Sequence, residues 1–292
     1  MPPIFGVLFD GIAYGMLLFL LSVGLSVTLG MMNFVNLAHC SFAMLGGYVT
    51  VTLMNVLGWP FFATLPAAFV AGAAVSVVLE RALFRRFYNA SDLEQCLLTI
   101  GIVFVSIAAA AYIYGTDQQP VQLPAFLHGS IVFAGLNFAV YRLFLIATAL
   151  GITLVLVAAL EMTRFGAQVR AAVNNQRMAR GLGIDVDTLF AITFALGSGL
   201  AGLGGALAID LVGLDPSFAF TYLIYVLIVV SVGGLGSIGG SAAAAVIVGL
   251  VQQYTNYYGS SGVGDMIVVL LLGIVLLTRP RGIAGAVVGA RA

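Results

Sequence analysis

The amino-acid sequence predicts an all-α protein, a polytopic bundle of about eight or nine transmembrane helices with an additional helix at the cytoplasmic surface. Of its 292 residues, 62% are hydrophobic and only 8% are charged, whereas a soluble domain carries roughly 25% charged residues. The mean hydropathy is +1.14, so most of the surface must face lipid. The apolar runs are long and continuous, which favours helices over the short alternating strands of a membrane barrel.

Nine apolar stretches of roughly spanning length follow one another along the chain. They cover residues 6–30, 34–57, 60–83, 96–115, 142–162, 188–211, 218–234, 241–258 and 264–279. The first stretch lacks the basic flank of a cleaved signal peptide, so we expect it to remain as a span. Polar residues at the start of the second stretch and Gly46-Gly47 within it leave open whether this segment crosses as a regular helix or is broken.

Arginine clusters orient the predicted spans. All 11 basic residues are arginine, and most of them fall in three clusters, at residues 81–86, 164–180 and 279–291. Two predicted crossings separate the first cluster from the second, and four separate the second from the third. All three clusters therefore lie on one side, which the positive-inside rule identifies as the cytoplasm. The C-terminus is predicted to be cytoplasmic, and the N-terminus is outside if all three early stretches cross but inside if one is re-entrant.

Two polar loops interrupt what we interpret as a single transmembrane domain, residues 1–292. Residues 116–141 are predicted to face outward and to form a small hairpin around Gly135. Residues 163–187 face inward and are predicted to contain a short amphipathic helix. Phe165, Val169 and Val173 recur at spacings of four, and glycines end the helical pattern.

Two interpretations of the inward loop remain open. The helix either lies at the interface, where its arginines set topology and contact anionic lipid, or acts as a coupling helix that inserts into a separate cytoplasmic subunit. Arginine suits the second role because its planar guanidinium pairs bidentately with carboxylates. The candidate coupling residues are Arg164, Arg170, Asn175, Arg177, Arg180 and Gly183.

This loop resembles the cytoplasmic loop of LivH-type permeases of branched-chain amino acid ABC transporters. The segments 36–48 (NLAHCSFAMLGGY), 193–202 (TFALGSGLAG), 232–240 (VGGLGSIGG) and 279–282 (RPRG) also resemble segments of that family, in the same order. One departure is Cys40-Ser41, where the family usually has a glycine followed by an acidic or small polar residue. The resemblance extends over essentially the whole chain.

The resemblance implies a permease subunit of an ATP-driven importer in the bacterial inner membrane, with branched-chain or related amino acids as substrate. The implied partners are two ATP-binding subunits, a second permease, a periplasmic substrate-binding protein and membrane lipid, with no nucleic acid. These 292 residues contain no lysine, so they cannot supply the lysine of a phosphate-binding loop. We therefore expect ATP hydrolysis on another chain, and no catalytic residue, cofactor or metal here. Urea, small amides and aromatic acids remain possible substrates.

Polar residues at membrane depth mark either a pathway or hydrogen-bonded contacts between helices. The candidate pathway residues are Asn33, Asn36, His39 and Ser41. Asn36 and His39 are three residues apart and are predicted to share a helix face.

Two other classes of membrane protein compete with the importer. A stand-alone secondary transporter or channel needs ionisable residues at mid-membrane, and the sequence has almost none. Gly262-Val-Gly-Asp265 matches the Gly-x-Gly-Asp motif of intramembrane aspartyl proteases. Such a protease needs two carboxylates that share one proton. Asp10, Asp210 and Asp215 are the candidate partners, and none lies near the middle of a predicted span. We therefore interpret Asp265 as a solvated loop aspartate.

Overall fold

The computed structural model of the chain describes residues 4–32, 34–88, 90–133, 136–279 and 282–284. Within these ranges, helices dominate and the only strands form one antiparallel pair, which confirms the predicted all-α fold. The α-helices are α1 Ile4–Met32, α2 His39–Asn55, α3 Phe61–Ala82, α4 Asp92–Tyr114, α5 Val140–Met162, α6 Arg164–Asn174, α7 Gln176–Gly181, α8 Val186–Val212, α9 Phe218–Gly233, α10 Ile238–Tyr258 and α11 Ser261–Thr278. The remaining elements are 3-10 turns at Phe84–Phe87 and Ala125–Leu127, and strands β1 Ser130–Phe133 and β2 Leu136–Ala139.

Each of the nine predicted apolar stretches coincides with one helix. Within the described ranges, six helices are long and apolar enough to cross a bilayer: α1, α3, α4, α5, α8 and α10. Helices α9 and α11 are apolar but shorter. Helix α2 has 17 residues, about 26 Å at about 1.5 Å per residue, against about 30 Å of hydrocarbon. The chain is therefore a multi-pass membrane protein in which three of the nine helices are short.

The loops define two sides of the bundle. We call the side at which α3, α5 and α9 end the arginine side, because Arg85, Arg86 and the arginines of α6 and α7 lie there, and the other the opposite side. Helix α1 runs antiparallel to α10. Gly30 lies so close to Gly236, in the arginine-side turn before α10, that a Cβ at either position would crowd the other's Cα. At the far ends the Tyr254 hydroxyl donates to the Ile4 carbonyl at 2.9 Å, so α1 begins on the opposite side.

The second stretch is a broken crossing. Residues 34–38 are not helical, and α2 begins at His39, whose Nε2 lies 3.1 Å from the carbonyl oxygen of Leu21 near the middle of α1. Helix α2 then reaches the opposite side, where Asn55 Nδ2 donates to the Pro120 carbonyl at 3.0 Å. The second stretch therefore runs from the arginine side to the opposite side as a non-helical segment followed by a short helix.

Glycines allow α8 to pack at the centre of the bundle, against α1, α2 and α3. A Cβ at Gly46 of α2 would overlap the backbone of Gly202, and one at Gly205 would overlap the backbone of Ala43. Close backbone approach through small residues is the usual way in which membrane helices associate, because lipid supplies no hydrophobic force between them. Sixteen of the 27 residues of α8 are buried.

A two-stranded hairpin lies on the opposite side. Strands β1 and β2 pair antiparallel from Ser130 with Ala139 to Phe133 with Leu136, and β2 continues directly into α5. The hairpin contacts α1 through Phe138, whose ring meets that of Phe9 edge to face at 4.8 Å.

Candidate functional site

The loop at residues 163–187 contains two helices rather than the one predicted. Asn175 interrupts the helical run with extended backbone angles, φ −159° and ψ 97°, and its Oδ1 accepts a hydrogen bond from Met178 N at 3.0 Å. Asparagine competes well for backbone donors in this way, and it therefore favours a cap over a helix interior. The sequence pattern concealed the break because alanine and arginine on both sides favour helix.

The buried face of α6 also differs from the prediction. Val169 and Ala172 are buried and Phe165 is partly buried, whereas Val173 is 44% exposed. Four residues along an α-helix rotate the side chain by about 40° more than a full turn. Val173, eight residues after Phe165, is therefore rotated by about 80° from Phe165 and lies off the buried face. Ala172, seven residues after Phe165, stays within about 20° of it.

An ion-paired cluster joins α7 to two other parts of the bundle. Asp187, in the first turn of α8, accepts from Arg180 of α7 at 2.7 Å and from Arg85 of the α3–α4 loop at 2.6 Å. Next to it, the hydroxyl and backbone N–H of Thr188 donate to Asp185 and hold the pKa of that carboxyl below its usual value. All three ion-paired side chains are between 44% and 58% exposed, so the cluster fixes positions more than it adds stability.

The predicted coupling residues take different roles in the loop. Arg170 donates to the carbonyl of Leu160 and so holds α6 against the end of α5. It also lines a cavity of about 540 Å³ together with Glu161 and the turn before α10. Gly183 has φ +83°, a conformation that favours glycine in the turn before α8.

The remaining loop arginines, Arg164 and Arg177, are exposed and form no ion pair with any residue that the structure describes. Three apolar side chains of the same loop are exposed: Val173 at 44%, which the sequence analysis placed on the packed face, and Met178 at 65% and Leu182 at 75%, which it did not single out. In the sequence each of them is an apolar residue within an arginine-rich segment. This pattern is equally typical of a buried helix face, so it does not show that the side chain is exposed.

The candidate pathway residues lie around the break before α2. Asn33 lies outside the described residues. Asn36 is in the non-helical segment, where its Oδ1 accepts from Ala38 N at 3.1 Å. Because α2 begins only at His39, the prediction that Asn36 and His39 share a helix face is wrong. Both are buried, and within the described structure neither Asn36 Nδ2 nor His39 Nδ1 has a hydrogen-bond partner.

Two polar residues of α4 stabilise the break and were not predicted. Gln95 Oε1 accepts from Val35 N at 3.0 Å, and the Thr99 hydroxyl lies 3.5 Å from the Val35 carbonyl. Irregular backbone inside a membrane requires partners of this kind because lipid offers none. Farther along α4, the Ser106 hydroxyl donates to that of Ser41 at 2.8 Å, so Ser41 is the predicted pathway residue that contacts α4.

A family model for the permease component of branched-chain amino acid transport systems matches residues 7–278. This chain belongs to that permease family. The probable LivH permease of Methanocaldococcus jannaschii is 28% identical over 96% of this chain and 92% of its own length. LivH of Escherichia coli K12 is 28% identical over 95% of this chain and 94% of its own length. LivM of the same organism is 24% identical over 91% of this chain and 69% of its own length. No solved structure matches.

The surroundings of Asp265 do not match those of a protease aspartate, which agrees with membership of the permease family. This residue lies in the second turn of α11, not in a solvated loop, and its Oδ1 accepts from the Tyr225 hydroxyl at 2.6 Å and from Gln252 Nε2 at 2.9 Å. Among the described residues no second carboxylate hydrogen-bonds to it, and an aspartyl protease requires one. The relatives are transport permeases by name, so the protein is a transport subunit.

Proposed function

We propose that this permease is the transmembrane subunit of an ATP-driven importer of branched-chain or related amino acids in a bacterial inner membrane. Two ATP-binding subunits dock on the arginine side, which faces the cytoplasm together with the C-terminus. A second permease completes the membrane part, and a periplasmic binding protein delivers substrate to the opposite side. The names of the relatives and the family match support the substrate class.

The whole chain, residues 1–292, then acts as one transmembrane domain, with residues 116–141 as its periplasmic loop and 163–187 as its coupling loop. The observation that carries the coupling role is the ion-paired cluster at Asp187. A displacement of α7 reaches the start of α8 directly and the α3–α4 loop through Arg180, Asp187 and Arg85. A displacement of α6 reaches the end of α5 through Arg170.

The docking surface on α6 and α7 combines charge with apolar contacts. Arg164 and Arg177 offer guanidinium groups to carboxylates of the ATP-binding subunit. Met178 and Leu182 provide exposed apolar area in α7 and the turn that follows it, and such residues form the desolvated centre of protein interfaces. Asn175 fixes the angle between the two helices and so shapes the surface.

For the pathway we propose the region of the break before α2, with Asn33, Asn36, His39 and Ser41 along it. The unpartnered amide of Asn36 and imidazole nitrogen of His39 are buried groups that a polar substrate is able to satisfy. An apolar amino acid carries a carboxylate and an ammonium group, which match such donors and acceptors.

A charge reversal tests the coupling role. Arg177→Glu is expected to reduce ATP-dependent leucine uptake at least 10-fold at an unchanged level of the protein in the membrane. Arg86→Glu is the matched control, because Arg86 is exposed on the same side but lies outside the coupling loop, and it is expected to retain uptake. Equal uptake by the two variants would refute the assignment of α7 to the docking surface.

A further inference from the structure

Glu80 is a buried carboxylate that forms no ion pair with any residue that the structure describes. It lies in the last turn of α3 and is 2% exposed. The Tyr88 hydroxyl donates to its Oε1 at 2.7 Å, which is its one side-chain hydrogen bond among the described residues. Burial of an ionised carboxylate is costly unless a cation pairs with it. Glu80 is therefore able to accept a positively charged ligand.

The Glu80 side chain lines a cavity on the arginine side, between the end of α3 and the start of α8. Its volume is about 230 Å³, several times the roughly 30 Å³ that one water molecule occupies. We call it the Glu80 cavity. The charged residues that line it are Glu80, Arg81, Arg85, Asp185 and Asp187.

Three of these five charged groups already have partners. Asp187 pairs through one oxygen with Arg85 and through the other with an arginine of α7. Asp185 accepts from the backbone N–H of Thr188 through one oxygen and from its hydroxyl through the other. The groups left to bind a ligand are therefore those of Glu80 and its neighbour in the sequence.

That neighbour, Arg81, is exposed and makes no ion pair within the described part of the chain. It does not pair with Glu80, because adjacent side chains on a helix point about 100° apart. The cavity thus offers one free carboxylate on its buried wall and one free guanidinium at its exposed edge. The ammonium and carboxylate groups of an α-amino acid match these two groups. A basic side chain of a docked subunit would pair with Glu80 alone and leave Arg81 free.

We propose that the Glu80 cavity binds a free amino acid from the cytoplasm, with its ammonium group at Glu80 and its carboxylate at Arg81, and that the bound amino acid slows import. The site follows from the charges of the cavity, whereas its effect on import rests on the importer function proposed above. The ligand bridges the end of α3 and the start of α8, beside the Asp187 cluster that transmits the displacement of α7 in that function. A ligand that binds one arrangement of the helices favours it over the others, so amino acid that accumulates inside limits further uptake.

Protection of a thiol from labelling tests the site. In a background with Cys40→Ala and Cys96→Ala, Ala191→Cys places a thiol on the cavity wall. A membrane-impermeant maleimide reaches it in inside-out membrane vesicles, which expose the cytoplasmic face of the assembled protein. Saturating leucine is expected to slow this labelling at least about five-fold. Isopentylamine, which lacks the carboxylate, is expected to need a concentration about 10-fold higher or more for the same protection.

Leu182→Cys in the same background is the matched control. Leu182 is 75% exposed on the same side of the bundle and does not line the cavity. Leucine is expected to change its labelling rate by less than about two-fold, because no bound ligand covers this position.

Glu80→Gln separates ligand binding from structure. Glutamine keeps the length of the side chain and its hydrogen bond with Tyr88 but removes the charge. The leucine concentration that gives half-maximal protection is therefore expected to rise about 10-fold or more. Thermal unfolding of the chain with its native cysteines provides a second measurement: leucine is expected to raise the melting temperature of the parent, and to raise that of Glu80→Gln less.

Liposomes that contain the assembled transporter test the effect on import. Leucine enclosed together with ATP is expected to lower the initial rate of leucine uptake by the parent at least about three-fold. Glu80→Gln is expected to need about 10-fold more enclosed leucine for the same inhibition. Each protein is compared only with itself, with and without enclosed leucine.

Several results would overturn the site: labelling of Ala191→Cys that leucine does not slow, equal protection by isopentylamine, access of the maleimide only after the ATP-binding subunits are removed, or an unchanged response to leucine in Glu80→Gln. Protection without inhibition by enclosed leucine would overturn the effect on import alone. Absence of ATP-dependent uptake by the parent would overturn the importer function and that effect, while the labelling experiment would still decide the site.

Discussion

Replacing Gln95 by methionine is expected to destabilise the protein, because this one side chain binds three backbone groups that lie outside the α-helices. Its Oε1 accepts from Val35 N at 3.0 Å, and its Nε2 donates to the carbonyls of Phe87 and Ala90 at 3.2 Å each. Methionine has a similar length but replaces none of these bonds. The variant therefore leaves one N–H and two carbonyls without their side-chain partner near the arginine-side end of α4.

The size of the effect follows from the number of bonds. Hydrogen bonds between membrane helices contribute about 0.6 kcal/mol on average and up to about 1.7 kcal/mol, so three bonds amount to about 2–5 kcal/mol. At about 2–3 °C per kcal/mol for a chain of this size, the melting temperature is expected to fall by about 4–15 °C.

The assay is thermal unfolding in detergent, followed by fluorescence-detected gel filtration, with Gln253→Met as the matched control. Gln253 is partly buried and makes no side-chain hydrogen bond to any described residue, so its variant is expected to melt within about 2 °C of the parent. A Gln95→Met protein that melts together with the control would refute the claim that Gln95 holds the break before α2.

Three further substitutions test other parts of the structure. Asp187→Asn removes the carboxylate charge with which Arg85 and Arg180 both pair. Since these side chains are half exposed, the free energy of unfolding should change by less than about 1 kcal/mol. Uptake, measured on the same preparation, is expected to fall several-fold. Gly205→Val places a side chain into the backbone of α2, and we expect a loss of about 3 kcal/mol or more, seen as reduced recovery of monodisperse protein. Asp265→Ala is expected to keep uptake within about two-fold, and complete loss would indicate that this carboxylate takes part directly in the activity.

The helices were predictable from the sequence because lipid leaves few options. A long apolar run in a membrane has to form a helix, so nine runs gave nine helices. The positions of the arginines likewise predicted which loops lie on the same side of the bundle. The hairpin at residues 130–139 followed from short β-branched and aromatic runs around a glycine.

What the sequence concealed depends on partners distant in the chain. The break at residues 34–38 exists because Gln95, about 60 residues later, supplies the hydrogen bond that Val35 lacks. The cluster around Asp187 needs Arg85, about 100 residues earlier, and no local pattern pairs them. The division of residues 163–187 at Asn175 could not be predicted, because a good capping residue inside a run of helix formers is consistent with either one helix or two.

The central claim is that this permease works only as part of an ATP-driven assembly. The most direct test is a gentle affinity purification of the tagged chain from its native membrane, with identification of the co-purifying proteins by mass. The account predicts a second permease and ATP-binding subunits in defined ratio with the tagged chain. A chain that purifies alone and transports leucine in reconstituted vesicles without ATP would contradict it.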